Sequence, residues 1–204
     1  RRRADDLLKN ATPLMEIYRE ERAGELSAFL LTDLKQNGRR RSILSAPPIY
    51  TMSPDMLEHI LRRNSVSEEE RARIHEYAAS QLKRSEQLLT VGTIEDEIPQ
   101  LNDEEFSRHP AVLPLSGLFY GHDITYTPDE YREHIEQTLS FAEEHPNYTV
   151  TLTAANPFRN LCILIHEGRW AMISKSNAPA IHFVIHHPKL RAAIESFTPP
   201  MVEE

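Results

Sequence analysis

Apolar residues in the first half of the chain recur at intervals of three to four, which is the spacing of helices that bury one face. A Thr-Pro start signal at residue 12 predicts a long helix over residues 13–36. Further start signals predict helices over residues 54–64 and 67–89, and the second of these opens with a Ser-x-x-Glu capping box. The first half of the chain is therefore expected to be a helical lobe.

Residues 90–126 break this pattern. They contain three prolines, an acidic stretch and only short apolar pieces, so they are predicted to form a connecting segment with little regular structure. From Thr127 the helical signal returns, with a capping residue, a proline and an acidic first turn ahead of a helix that ends near the sequence EEHPN.

Four strands are predicted after this helix. YTVTLTA alternates apolar residues with threonine, LCILI is a continuous apolar run, and RWAMIS and AIHFVIH each follow a turn. Pro188 then opens a last helix, which is expected to turn its apolar side chains towards the core, namely Leu190, Ala193, Ile194 and Phe197.

The predicted fold class is thus α+β: a helical N-terminal half, then a helix, a four-stranded mostly antiparallel sheet and a C-terminal helix. Two units are expected, a helical lobe with its linker at residues 1–118 and an α+β lobe at residues 119–204. The long first helix and the helix over residues 67–89 would supply a dimer surface, because loosely patterned apolar helices leave side chains to cover.

The composition indicates a globular chain, with 40% hydrophobic and 26% charged residues among 204. No apolar run approaches the roughly 20 residues that cross a bilayer, and the charged start RRRADDLLKN lacks the apolar region of a secretion signal. The single cysteine, Cys162, excludes an internal disulfide and a cysteine-based zinc cluster. A cytoplasmic protein with no membrane contact is therefore expected.

The charge pattern argues against a surface that wraps nucleic acid, because the formal net charge is −8 and phosphate contacts need clustered Lys and Arg. The arginine run at residues 39–41 is expected to be a solvated face that follows a helix. The segment DMLEHILRRNSVSEEERARIHEY has the outline of a helix-turn-helix, but its second helix would present Glu68, Glu69 and Glu70 to bases and phosphates. Ordinary helical packing is predicted for it.

Histidines near the C-terminus are candidates for chemistry. In a strand over AIHFVIH, His182 and His186 share one face but stand about 13 Å apart at roughly 3.3 Å per residue, too far to share one ion easily. They are expected to be polar residues on the solvated sheet face. A metal site would need a third partner from another strand, so the alternative function is a small metal-dependent hydrolase built on His166, His182 and His186.

Sequence motifs for hydrolysis or phosphate binding are missing: there is no nucleophile elbow, glycine-rich phosphate loop, HExxH or cysteine pair. His122, Asp123 and Tyr126 form a trio of acid/base side chains, but no nucleophile can be named beside them. No catalytic residue, metal or cofactor is predicted, and the chain is not expected to be an enzyme.

The C-terminal pattern resembles the end of the C-terminal domains attached to Cro-like helix-turn-helix transcriptional regulators of bacteria. The pieces that carry the resemblance are a strand at 148–153, an apolar strand at 161–165, a Glu-Gly turn at 167–168, a strand ending in SK at 170–175 and an F-x-x-x-H-P-x-L junction at 183–190. A second segment, APPIYTMSPDMLEHILRRN, is similar to the part that precedes the helical linker in such chains.

The same order of strands and helix is similar to the C-terminal half of phospholipase D-like domains, which some bacterial regulators use as non-catalytic sensors. The catalytic H-x-K pattern of that superfamily is not present, because HEGRWAMISK has His166 but no lysine two residues later. If the fold is shared, the resemblance implies a copy without phosphodiesterase activity.

Together these resemblances imply a regulatory domain of a bacterial transcription factor, which binds a small effector, forms a homodimer, or does both. The chain starts at Arg1 without a methionine, so the DNA-binding domain is expected upstream, with DNA contact only through it. A small ligand is expected between the sheet face and the helical half, lined by Tyr120, His122, Trp170, His182 and His186.

Overall fold

The fold is built on a mixed sheet, seen in a computed structural model that describes residues 14–114, 123–154, 161–175 and 179–197. Its strands are β1 (Met15–Tyr18), β2 (Gly38–Ile43), β3 (Gly92–Pro99), β4 (Tyr148–Thr153), β5 (Leu161–His166), β6 (Trp170–Lys175) and β7 (Ile181–Ile185).

The described helices are α1 (Ala23–Asp33), α2 (Pro54–Arg63), α3 (Glu68–Val91), α4 (Asp103–Arg108), α5 (Pro128–Glu144) and α6 (Pro188–Phe197). Short 3₁₀ helices lie at Glu20–Arg22 and Ile49–Thr51. None of these described helices is long and apolar enough to cross a membrane.

All seven strands share one sheet in the order β1-β7-β6-β5-β2-β3-β4. β2, β3 and β4 are parallel, whereas β1, β7, β6, β5 and β2 are antiparallel to their neighbours in that series. The parallel strands are joined by helical crossovers, with α2 and α3 between β2 and β3, and α4 and α5 between β3 and β4. Strands from both halves of the sequence therefore meet side by side.

The fold is α+β, but the predicted architecture, with a helical N-terminal half and a four-stranded mostly antiparallel sheet, is wrong. The sheet has seven strands and is mixed, and the N-terminal half contributes three of them, β1, β2 and β3. β4 does not continue into β5; it lies at the far edge beside β3, because helical crossovers place it parallel to that strand.

The long helix predicted over residues 13–36 is also wrong, since β1 occupies its start and α1 begins only at Ala23. β1 has just four residues, and its alternation merges with a loose helical period when the sequence is read alone. Its hydrogen-bonding partner is β7, with Met15 opposite Ile185 and Tyr18 opposite His182.

β3 overturns the prediction that residues 90–126 have little regular structure. Buried parallel strands normally read as continuous apolar runs, but β3 has the sequence GTIEDEIP. Its charges are accommodated individually: Arg39 of β2 donates two hydrogen bonds of 2.6 Å to Glu95, and tyrosine hydroxyls donate to Asp96.

The capped helices agree with the sequence. Ser53 caps α2, and α3 and α5 each open with a complete capping box, Ser67 with Glu70 and Thr127 with Glu130.

The last helix, α6, forms as predicted but does not turn its whole apolar stripe inward. Only Ile194 packs against the buried residues of β5 and β6, and Ala193 is exposed. Leu190 and Phe197 are 53% and 71% exposed.

Two apolar clusters pack on the same side of the sheet and position the site. The larger one joins α2, α3 and α5, with Ile60, Leu61 and Ile74 fully buried. The other lies under α1 and includes Tyr18 and Trp170. The buried charged residues Arg40 and Asp96 also face this side of the sheet.

Candidate functional site

A cavity of about 140 Å³ lies between α3, the 3₁₀ turn at Ile49–Thr51 and the sheet, and we call it the central cavity. Its floor is formed by β2, β3 and β5. The volume is close to the roughly 150 Å³ of a void that holds one benzene molecule. The polar residues that line it and enter the argument below are Arg40, Tyr50, Tyr77, Gln81, Arg84 and Asp96.

α3 supplies one wall of the cavity through Tyr77, Gln81, Arg84, Ser85 and Leu88. These positions follow helical intervals of three and four residues, so they share one face of the helix.

Strand alternation supplies the floor of the cavity. Arg40 and Ser42 of β2 are in register with Ile94 and Asp96 of β3, and alternate residues of neighbouring strands face the same side of a sheet. One helix face and one sheet face thus enclose both charged and apolar groups.

Asp33, the last residue of α1, organises one end of the cavity. Its carboxylate accepts hydrogen bonds from Arg40 Nη2 at 2.9 Å, His166 Nδ1 at 2.7 Å and Trp170 Nε1 at 3.1 Å. Burial raises the pKa of Asp33, but the hydrogen bonds from these three side chains outweigh it and lower the pKa to about 2. Asp33 is therefore a buried anion committed to its own partners.

Two glycines allow His166 to reach this network. Gly38 has φ +154°, and a Cβ atom there would lie 2.4 Å from His166 Nε2. On the neighbouring strand, a Cβ at Gly92 would lie 1.9 Å from the Gly38 carbonyl oxygen. His166 Nε2 lies 3.2 Å from the carbonyl oxygen of Asn37, so both ring nitrogens face an acceptor.

Arg84 contrasts with Arg40, because its guanidinium forms no hydrogen bond or ion pair with the residues that the structure describes. The Nε atom of Arg84 is buried. Burial lowers the pKa of Arg84, and the nearby Tyr77 and Asp33, which act in the opposite direction, offset only part of that fall. Nη1 of Arg40 is also buried without a hydrogen-bond partner among the described residues.

Asp96 brings a second carboxylate to the cavity. It accepts hydrogen bonds from Tyr50 Oη at 3.0 Å and Tyr148 Oη at 2.9 Å. Burial raises the pKa of Asp96 to about 6, and the hydrogen bonds from Tyr148, Ser42 and Tyr50 offset only part of that rise. Near neutral pH this carboxylate is thus close to a change of charge.

Of the residues predicted to line a ligand site, Trp170 does line the central cavity. Tyr120 and His122 lie outside the described residues.

His182 and His186 lie elsewhere in the fold. His182 is buried in β7, with its Nδ1 2.8 Å from Ser174 Oγ. The Nε2 of His186 lies 3.2 Å from the Glu16 carboxylate. Neither side chain lines the central cavity, and their role in ligand binding stays a prediction.

The histidines of the alternative metal site do not converge. His166 pairs with Trp170 at one end of β6, whereas His182 pairs with Ser174 at the other end, about 13 Å along the strand at 3.3 Å per residue. His186 follows β7, with Trp170 on the strand between it and His166. Within the four described ranges, no group of three or more His, Cys, Asp or Glu side chains is placed to hold a metal ion.

The predicted acid/base trio is only partly within the described residues. His122 is outside the described residues, while Tyr126 is buried and its hydroxyl lies 2.9 Å from His134 Nδ1. Thr51 Oγ1 lies 3.1 Å from the other ring nitrogen of His134, and burial lowers the pKa of His134 to about 3. Tyr126 therefore belongs to an internal contact around a neutral histidine.

The helix-turn-helix outline corresponds to α2 and α3, which form the crossover between β2 and β3. Glu58 of α2 pairs with Arg71 and His75 of α3 at 3.1 and 3.0 Å. The two segments thus pack on each other as ordinary helices, and α3 also packs on β3.

The arginine run predicted to be a solvated face lies instead in β2, an interior strand of the sheet, and Arg40 is only 6% exposed. Arg84 and Asp96 are not among the site residues predicted from the sequence either. The sequence pattern indicates that both face inward. Arg84 lies on the helical stripe that includes Tyr77 and Leu88, and Asp96 lies on the strand face that carries the apolar residues of β3. A charged residue on an inward face needs either a partner or a ligand.

No protein-family model matches the chain, and no curated protein matches it.

Proposed function

We propose that the chain is the regulatory domain of a bacterial transcriptional regulator and that it binds a small effector in the central cavity. The observation that carries the proposal is the cavity itself, a space of about 140 Å³ in which mostly apolar walls surround a few converging polar groups. Small-molecule sites in proteins have this composition.

Perturbed ionisable groups at the cavity support the proposal. Asp96 has a raised pKa and Arg84 a lowered one, and both line the same space. Such shifts concentrate at functional sites, because binding and catalysis require charges that solvent does not neutralise.

The resemblance to regulator domains gives the cavity its context. The segments on which the resemblance rests correspond to β4, β5, β6, β7 and the start of α6. In this proposal the chain works in the cytoplasm as a non-catalytic sensor, and a separate helix-turn-helix domain makes the DNA contacts.

A homodimer completes the proposal. Exposed apolar side chains occur on β1 and α6, namely Met15, Ile17, Leu190 and Phe197. The two elements are adjacent, because the backbone N–H groups of His186 and His187 donate to the carbonyl oxygen of Leu14. A symmetric dimer would cover this patch with its own copy.

Effector binding is tested by thermal unfolding of the full chain with a panel of small metabolites and metal ions. At least one compound is expected to raise the melting temperature, because a ligand that binds only the folded state stabilises it. Gln81→Trp, which fills the cavity, is expected to abolish that rise, whereas Gln87→Trp on the exposed side of α3 keeps it. A panel without any shift contradicts effector binding.

The dimer is tested by the molar mass in solution. Twice the chain mass is expected, and Leu190→Ser is expected to shift the mass towards the monomer. Leu139→Ser on α5 is the matched control, since Leu139 is also exposed but lies on a different helix. A monomeric parent chain at micromolar concentration contradicts the dimer.

A further inference from the structure

We infer that the ligand of the central cavity is a small organic carboxylate, whose charged end pairs with Arg84 and with Nη1 of Arg40. This inference rests on the proposed function, because it names the chemical class of effector for the same cavity.

Among the described residues, the charged side chains around the cavity leave one cation without a partner. Arg84 and Arg40 bring two guanidinium groups to the cavity wall. Asp33 is committed to Arg40, His166 and Trp170. Asp96 accepts hydrogen bonds from two tyrosine hydroxyls, and among the described residues it forms no ion pair with either arginine. One guanidinium therefore has no counter-charge that binds it.

A carboxylate of this chain that pairs with Arg84 would have to come from outside the described residues. The internal segments outside the described residues are LSGLFYGH, ANPFRN and SNA, at 115–122, 155–160 and 176–178. They contain no Asp or Glu, and the one charged residue in them, Arg159, is basic. No internal segment therefore supplies a counter-charge for Arg84, and an anion from solution is the partner that the inference assigns to it.

The geometry of the two guanidinium groups suits an oxyanion. A guanidinium presents its N–H donors in a planar fork that matches the two oxygens of a carboxylate. Nε of Arg84 is buried with no acceptor, and Nη1 of Arg40 is a second donor without one. An oxyanion in the cavity would accept from both arginines at once.

The remaining walls select an organic anion. Ile49, Leu88 and Ile94 line the cavity together with the rings of Tyr77 and Trp170. Inorganic phosphate would leave these surfaces without contacts and would have to lose its own hydration. A carboxylate with an aliphatic or aromatic body of about six carbons fills a volume of this size.

The experiment uses the full chain and matched pairs of compounds that differ only in charge: benzoate with benzamide, and hexanoate with hexanamide. Phosphate is the inorganic arm. At a concentration 100 times Kd a carboxylate is expected to raise the melting temperature by about 5–10 °C, and the amides and phosphate much less.

Arg84→Met separates a binding role from a structural one. It is expected to weaken carboxylate binding at least tenfold and, because it removes an unpaired buried cation, to raise the melting temperature of the ligand-free chain by about 3 °C or more. Lys83→Met is the control, since it makes the same change of charge at the neighbouring exposed position of α3.

Arg84 is also observed directly through its Nε–Hε NMR signal. The signal is expected to move on titration with the carboxylate and to stay in place with the amide.

Four outcomes would overturn the inference. If amides bind as well as carboxylates and Gln81→Trp abolishes both, the cavity is an effector site but not an anion site, and the proposed function survives. If phosphate matches the carboxylates, the organic preference is wrong. If Arg84→Met lowers the melting temperature of the ligand-free chain, Arg84 has a structural partner. If neither these compounds nor the metabolite panel shifts unfolding, effector binding fails as well.

Discussion

Asp96→Asn isolates the effect of one buried carboxylate on stability. Asn has nearly the same shape and still accepts a hydrogen bond from the hydroxyl of Tyr50 or Tyr148, but it cannot ionise. The substitution therefore removes the titration of Asp96 and leaves the packing of the cavity floor in place.

The size of the effect follows from the pKa of Asp96. Burial raises it from 3.8 to about 6, so the folded chain keeps a proton that the unfolded chain has already lost. Stability falls as the pH rises through this interval, because the folded state binds more protons there. A shift of about two pH units corresponds to roughly 3 kcal/mol in all, of which about 2 kcal/mol lies between pH 4.5 and 7.5.

The assay is urea unfolding of the parent chain and Asp96→Asn at several pH values between 4.5 and 7.5. Other carboxylates, including Asp33, change the stability of both chains alike, so the informative quantity is the difference between their free energies of unfolding. That difference is expected to move by about 2 kcal/mol in favour of Asp96→Asn as the pH rises.

Asp129→Asn is the control for net charge, because Asp129 is an exposed carboxylate in the first turn of α5. Its difference from the parent chain is expected to change little across the same pH range. A flat curve for Asp96→Asn as well, or one of opposite slope, would refute the assignment of a raised pKa to Asp96.

Two further predictions concern the network around Asp33. Asp33→Ala is expected to lower the free energy of unfolding by about 3–5 kcal/mol at pH 7, because it leaves Arg40 buried without its anion; a loss below about 1 kcal/mol in urea unfolding would contradict this. Gly38→Ala is expected to cost at least about 2 kcal/mol, since its Cβ would press on His166, whereas Gly24→Ala, with open space around it, is expected to raise stability by about 0.5–1 kcal/mol; the reverse order by thermal unfolding would exclude the close contact.

Helices are the part of this fold that the sequence predicts well. The caps at Ser53, Ser67 and Thr127 act on the backbone within three residues, so the sequence contains the complete signal. The antiparallel series β5, β6 and β7 is predictable for a related reason, because each strand follows its partner after a short connection.

The rest of the sheet depends on partners far away in sequence. β1 is held by β7, which follows it at a distance of more than 160 residues. The charges of β2 and β3 are acceptable in a sheet interior only because Arg39 meets Glu95 and Arg40 meets Asp33. Local sequence does not contain those pairings, so the arginines read as surface and the acidic strand as a loop.

The residues of the candidate site are equally hard to predict from local sequence. Its walls come from α3, the 3₁₀ turn at Ile49–Thr51 and the four strands β2, β3, β5 and β6, and they meet only after the sheet has assembled. Trp170 is among the residues that the sequence analysis places at a ligand site, but the sequence patterns around Arg84 and Asp96 indicate only that these residues face inward.

The arginine run of β2 has a consequence for the newly made chain. Synthesis completes β2 and β3 well before β5, so β2 is for a time the edge of an unfinished sheet. Exposed strand edges invite pairing with other chains, and charged side chains resist it. Arg39 and Arg41 later meet Glu167, in the turn directly after β5, at 3.5 and 3.4 Å. Glu167 thus pairs with arginines that protect the growing edge against aggregation. It is made together with β5, the strand that covers this edge.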